Sequence, residues 1–172
     1  MTTNYLQMMI DSLNKKKGIL IRIIELNEEQ NQILSEETLN GDAFDDNMKA
    51  KGSCIDELDL LDEGFQSLYD RIKEELAGNK TKYSSEIAAM KQLIKEVTEL
   101  GAKIEVQEAH NKVKVEAMFR RERQEHREAK RSASMAKSYY QNMSKLSNEP
   151  QFMDTKPVSY THLRAHETSL HL

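Results

Sequence analysis

Apolar residues recur along this chain at three- and four-residue steps, with two breaks in the first hundred positions. From about Thr3 to Glu37, Leu6, Met9, Leu13, Leu20, Ile23 and Leu34 keep a near-heptad spacing, and Ile10, Ile19 and Ile24 widen the stripe. That pattern predicts one long helix with a single face meant for burial. Asn27, Gln30 and Asn31 interrupt the stripe, where polar side chains weaken packing but can fix register. The stretch ETLNGD predicts the first break, with Asn40 and Gly41 ending one helix and Asp42 capping the next through a backbone N–H.

A second helix is expected over about Ala43 to Leu76, on a stripe of Phe44, Met48, Ile55, Leu58, Leu61, Phe65, Leu68, Ile72 and Leu76. Gly52 and Gly64 fall inside it as sites of close approach or bending, at about 1 kcal/mol each relative to alanine. Gly78 and Asn79 mark the second break. From Tyr83 a third helix follows Ile87, Met90, Leu93 or Ile94, Val97, Leu100, Ile104, Val113 and Met118, and its pattern continues past Arg120. About fifty residues at about 1.5 Å each would make it roughly 75 Å long, longer than its partners. Beyond it, AKRSASMAKSYYQNMSKL places Met135, Tyr139, Met143 and Leu146 at offsets of four, four and three, with Tyr140 adjoining. This short amphipathic helix either docks on the bundle as a fourth helix or binds a partner. Met and Tyr supply adaptable and rigid contact surface, which favours the partner-binding reading for Met135, Tyr139, Tyr140, Met143 and Leu146.

Composition points the same way: 38% of the 172 residues are hydrophobic and 31% charged, with six Gly, two Pro and no Trp. So few breakers exclude a turn-rich α/β enzyme. The expected fold is all-α, an elongated antiparallel helical bundle or coiled coil of three long helices plus a short C-terminal amphipathic helix. Residues 1–132 would form the bundle and 133–156 a client-binding segment. Cys54 has no disulfide partner, the start lacks a basic region followed by an apolar run, and no stretch approaches the roughly 20 apolar residues of a membrane span. A cytoplasmic protein without membrane insertion is expected.

No constellation for catalysis emerges, because the chain has no Gly-rich phosphate loop, no cysteine pair and no G-x-S-x-G turn. His110 and His126 lie in charged helical sequence, and carboxylate runs such as DELDLLDEG read as a hydrated helix face. No enzyme activity, cofactor or metal is expected. The stretch FRRERQEHREAKR holds six Lys or Arg against three Glu with no interleaved aromatic platform, which disfavours nucleic acid as a partner. His162 and His166, four apart near the end, have metal-ligand spacing. Yet PVSYTHLRAHET resembles a translated transposase adapter from sequencing-library preparation over Val158 to Thr168. Residues 157–172 are therefore read as a non-native tail, and its histidine pair as unselected.

Three stretches together resemble the FlgN-type flagellar export chaperones of clostridia-like bacteria. They are LNKKKGILIRIIELNEEQNQIL, with a Lys before an aliphatic run that closes on Glu-Gln; IDELDLLDEGFQSLYDRI; and the ending SYYQNMSKLSNEPQFMDTK. The resemblance implies a cytosolic helical chaperone that holds hook–filament junction subunits and brings them to the flagellar export gate. The sister chaperone class for the filament cap protein shares this pattern, and a generic coiled-coil scaffold is the remaining alternative. Residues 1–100 carry 12 basic and 20 acidic side chains, a formal −8, whereas residues 101–156 carry 12 and 8, a formal +4. That polarity favours oriented docking, or antiparallel self-association, over a general polyanion surface.

Overall fold

The computed structural model describes residues 1–122 and 127–143, with side chains for 1–122 and 131–143. Four helices account for most of them: α1 (Thr2–Leu34), α2 (Gly41–Gly78), α3 (Ser84–Glu122) and α4 (Arg127–Met143). No strand occurs among the described residues. The fold is the expected all-α bundle of three long helices and a short fourth.

Local chemistry sets the helix ends. Asn40, not Asp42, caps α2, its side chain accepting from the Ala43 N–H at 3.1 Å. Asp42 instead sits in the first turn, where its charge favours the positive end of the helix dipole. Ser35 closes α1 by donating its hydroxyl to the Asn31 carbonyl at 2.7 Å. At the other break, Asn79 donates its side-chain amide to the Glu75 carbonyl at 2.9 Å.

Helix α1 is central and packs along both α2 and α3. The pairs Lys16–Asp62 and Gln30–Asn47 make α1 and α2 antiparallel, and Lys17–Glu96 and Asn27–Gln107 make α1 and α3 parallel. At 38 and 39 residues, α2 and α3 each extend about 57 to 58 Å. The third helix, shorter than the fifty residues expected, exceeds α1 by six residues but α2 by only one, and α4 lies back along α2, with Ser132 on Asp45 and Tyr139 beside Lys51.

Two apolar clusters divide the length of the bundle. Leu6, Met9, Leu13, Phe65, Ile72, Leu76, Tyr83, Met90 and Ile94 close the end built from three helices. Leu20, Ile23, Phe44, Met48, Ile55, Ile104, Val115 and Phe119 form the other, which α4 completes with Ala136, Tyr139, Tyr140 and Met143. There the Phe44 and Phe119 rings meet edge to face, with centroids 5.8 Å apart. Each fully buried side chain of this size contributes about 1.5–3 kcal/mol.

Of the expected core positions, Val113 lies outside, and Leu61 and Leu34 are only partly buried, Leu34 still packing against the core. Val113 is 64% exposed, and the inward face of α3 runs instead through Ile104, Glu108, Asn111, Val115 and Met118. Leu61 is half-buried and lines an open groove between α1 and α2 with Gly18, Ile19, Cys54 and Leu60. Ile33, rather than Leu34, is the buried residue closing α1.

Gly52 and Gly64 mark neither a close approach nor a contact, since a Cβ at either would meet nothing within 4 Å. Adjacent substitutions should therefore have opposite signs. Gly64→Ala should stabilise the chain by roughly 0.5–1 kcal/mol, by reducing backbone freedom in the unfolded state. Phe65, only 2% exposed, should cost about 3–5 kcal/mol on truncation to Ala. Thermal melts followed by circular dichroism read both; destabilisation by Gly64→Ala would contradict the open environment of that face.

Candidate functional site: a buried polar layer beneath the terminal helix

The terminal stripe faces inward. Tyr139, Tyr140 and Met143 are 3%, 1% and 1% exposed, and Met135 packs half-buried at the edge of the same cluster. Of the two readings of this stripe, the structure has the docked fourth helix for these four residues. The reason is apolar demand, because Phe44, Met48 and Ile55 on α2 and Val115 and Phe119 on α3 form a core that α4 completes. Leu146 lies outside the described residues.

What α4 covers is not wholly apolar. Lys51 on α2 and Glu108 on α3 form an ion pair at 2.7 Å with both side chains fully buried. Around it the Lys51 ammonium donates to Gln30 Oε1 at 3.3 Å and lies 4.1 Å from the centre of the Tyr139 ring, a cation–π contact. The Tyr139 hydroxyl donates to Glu108 Oε1 at 2.8 Å. The other side of the layer is made of amides. Asn111 donates to Gln30 Oε1 at 3.2 Å and to the Asn27 carbonyl at 3.0 Å. Gln30 donates to Asn47 Oδ1 at 3.2 Å, and Asn47 donates to the Leu26 carbonyl at 2.8 Å. Each of the four helices thus supplies a group.

A second carboxylate anchors α4 two turns earlier. Asp45 is nearly buried and accepts from the Ser132 hydroxyl, while Arg131 reaches it from the rim at 3.2 Å. Ser132, Ala136, Tyr139, Tyr140 and Met143 fall at i, i+4, i+7, i+8 and i+11, one continuous face of the helix. Three buried side-chain atoms, Asn27 Oδ1, Glu108 Oε2 and the Tyr140 hydroxyl oxygen, meet no partner in good hydrogen-bond geometry, although the Tyr140 hydroxyl lies beside Glu108.

Burial dominates the electrostatics. It pulls Lys51 below the ordinary lysine value, with the Glu108 carboxylate opposing the shift. It pushes both phenols up, Tyr139 and Tyr140 alike, and the negative Glu108 beside them adds to the rise. Sealed in this way, the pair is reached by no solute while α4 is docked. The layer fixes the orientation of the helices that meet in it.

Glu108, Lys51, Asn47 and Asp45 are not evident from the apolar pattern, because charged residues read as a solvated face and Asn47 adjoins the stripe without interrupting it. The signal was spacing: Lys51 stands three residues after Met48 and four before Ile55, and Glu108 four after Ile104. Of the histidines, His110 is exposed, and His126, His162, His166 and His171 lie outside the described residues. Cys54 is half-buried, its thiol pushed up by burial and then by Glu57. Among the described residues no group of three or more His, Cys, Asp or Glu could hold a metal, and no described helix is long and apolar enough to cross a membrane.

Two measurements probe the layer. Glu108→Leu alone leaves a buried ammonium without its counter-charge and should cost about 3–5 kcal/mol, whereas Lys51→Met, Glu108→Leu and Tyr139→Phe together should recover most of that loss. Urea unfolding of the single and triple variants distinguishes the two, and equal losses would show that the pair is not coupled.

The pH dependence follows from the raised phenols. Unfolded tyrosines titrate near pH 10, folded ones above it, so the unfolded chain loses protons first. Stability should be intact below about pH 10 and fall as pH rises beyond it, by up to about 1.4 kcal/mol per pH unit for each phenol. Lys51 acts oppositely: its lowered value adds stability as pH rises, and that gain ends near the unfolded lysine value of about 10.4. Tyr140→Phe removes an unpartnered hydroxyl, so it should be near neutral at pH 7 and flatten the alkaline loss. An unchanged alkaline slope in denaturant titrations would remove Tyr140 from this account.

No family model matches this chain, and no curated protein or solved structure matches it either.

Proposed function

We propose that this chain is a flagellar export chaperone of the FlgN type, holding hook–filament junction subunits and bringing them to the export gate. The observation that carries the reading is the seating of α4, a 17-residue helix docked over a partly polar floor through Ser132, Tyr139 and Met143. A buried ion pair contributes little net stability relative to an apolar floor of the same shape. A helix held over such a floor exchanges more readily than one locked into an all-apolar seam. The client contributes an amphipathic helix from its terminal segment, which takes the seat when α4 leaves it. Covering that segment keeps unassembled subunits from associating through it, and the competing α4 keeps affinity moderate, so the client can be released.

Competition gives the test. Met143→Ala weakens α4 docking without touching either seat carboxylate, so it should raise affinity for junction subunits several-fold by increasing the fraction of open seats. Calorimetric titration of the full chain against purified junction subunits and the filament cap protein measures this. Loss of affinity in Met143→Ala would place the client on α4 itself. Tight binding of the cap protein alone would move the chain to the sister chaperone class, and binding of neither would overturn the flagellar reading.

A further inference from the structure

The seat of α4 has a chemical specification that goes beyond shape. Its walls are apolar, but two carboxylates look into it, Asp45 from α2 and Glu108 from α3. Both already have cations from the side: Lys51 on Glu108 at 2.7 Å and Arg131 on Asp45 at 3.2 Å. A docking helix that placed another cation at the Glu108 point would bury two positive charges on one carboxylate. One that placed an acid there would bury two negative charges together. An aliphatic side chain would leave Glu108 Oε1 with Lys51 alone. An uncharged donor meets the requirement without any of these penalties. In α4 the donors are the Ser132 and Tyr139 hydroxyls, seven residues apart, with fully buried Ala136 between them.

We infer that the α4 seat is a two-carboxylate reader of helices, accepting a partner helix with uncharged hydrogen-bond donors at i and i+7, a small residue at i+4 and large apolar residues at i+8 and i+11. The partner is an amphipathic helix of another protein, recognised by the same points that hold α4. This deepens the chaperone reading and rests on its premise that the seat opens to a helix in trans.

Synthetic peptides with the sequence of Arg127–Met143 test the rule on the full chain carrying Met143→Ala, which frees the seat. Four fluorescent peptides suffice: the parent, Ser132→Ala, Tyr139→Phe and both together, with affinity read by anisotropy. The parent should bind tightest, Tyr139→Phe about tenfold weaker, and Ser132→Ala several-fold weaker. On the chain that also carries Lys51→Met and Glu108→Leu, the preference for Tyr over Phe should vanish or reverse, while the preference for Ser over Ala persists through Asp45. Circular dichroism melts establish that this chain is folded, and the Ser132 comparison stands on the unaltered ion pair if it is not. Equal affinity for the Tyr and Phe peptides, a Tyr preference that survives loss of Glu108, or no peptide binding at all would overturn the inference. Junction subunits titrated in parallel separate the two proposals: a donor preference without subunit binding keeps the reader and removes the flagellar client.

Discussion

The contact on which the end of the bundle that carries α4 depends is a fully buried ion pair, Lys51 with Glu108 at 2.7 Å. Neither charge is tolerable there alone, since an isolated ion in a dry interior costs several kcal/mol. Gln30 from α1 accepts from the ammonium, and Tyr139 from α4 donates to the carboxylate. One residue from each helix therefore meets at a single point, and the relative register of all four is set together. A one-residue slip of α4 would carry the Tyr139 hydroxyl away from Glu108 and the Ser132 hydroxyl away from Asp45 in the same movement. Apolar side chains cannot impose this, because dispersion and area burial are nearly indifferent to direction.

The two ends of the molecule divide the work accordingly. Around Leu6, Met9, Phe65, Ile72 and Met90 the three long helices close on an apolar core, with two long-range ion pairs near its inner edge, half-exposed Lys17 with Glu96 and the more buried Lys16 with Asp62. Burial pushes the Asp62 carboxyl up despite Lys16, which marks that pair as a weak contributor rather than a clasp. This end holds the chain folded. The opposite end adds α4 and replaces part of the apolar floor with amides and charges, so it exchanges some stability for direction.

Periodicity made the three long helices and both breaks legible, because few glycines or prolines compete with the 3.6-residue pattern. It also placed Phe44, Met48, Ile55, Phe65, Met90 and Ile104 on inward faces, where the structure has them. Two assumptions limited the rest. Carrying the stripe of the third helix from Ile104 through Val113 put that residue inside, although its turn of α3 presents Asn111 and Val115 to the neighbours instead. Treating every charge as solvated hid Lys51 and Glu108, whose partners are 57 positions apart and on different helices. No local window contains both members of such a pair. The interruption at Asn27 and Gln30 was visible, and its role in setting register follows once Asn47, Lys51 and Asn111 are seen to meet it. The burial of Tyr139, Tyr140 and Met143 was the harder decision, since an amphipathic face carries the same pattern whether it meets its own bundle or another protein.

That ambiguity has a physical content. A face that docks on its own bundle and a seat that accepts it are complementary surfaces, and anything resembling the face is a competitor for the seat. A purely apolar seat would accept every amphipathic helix of the right size, which suits folding but discriminates poorly between partners. Two carboxylates at fixed spacing change the selection rule: a wrong helix leaves buried acceptors unpaired, at about 1–3 kcal/mol each, while the right one only restores what α4 had supplied. Specificity at this seat therefore arises from the cost of mismatch more than from the strength of the match. Docking of α4 can remain weak enough to exchange while the seat stays selective, and both properties follow from placing Glu108 and Lys51 where the heptad pattern would have put two aliphatic side chains.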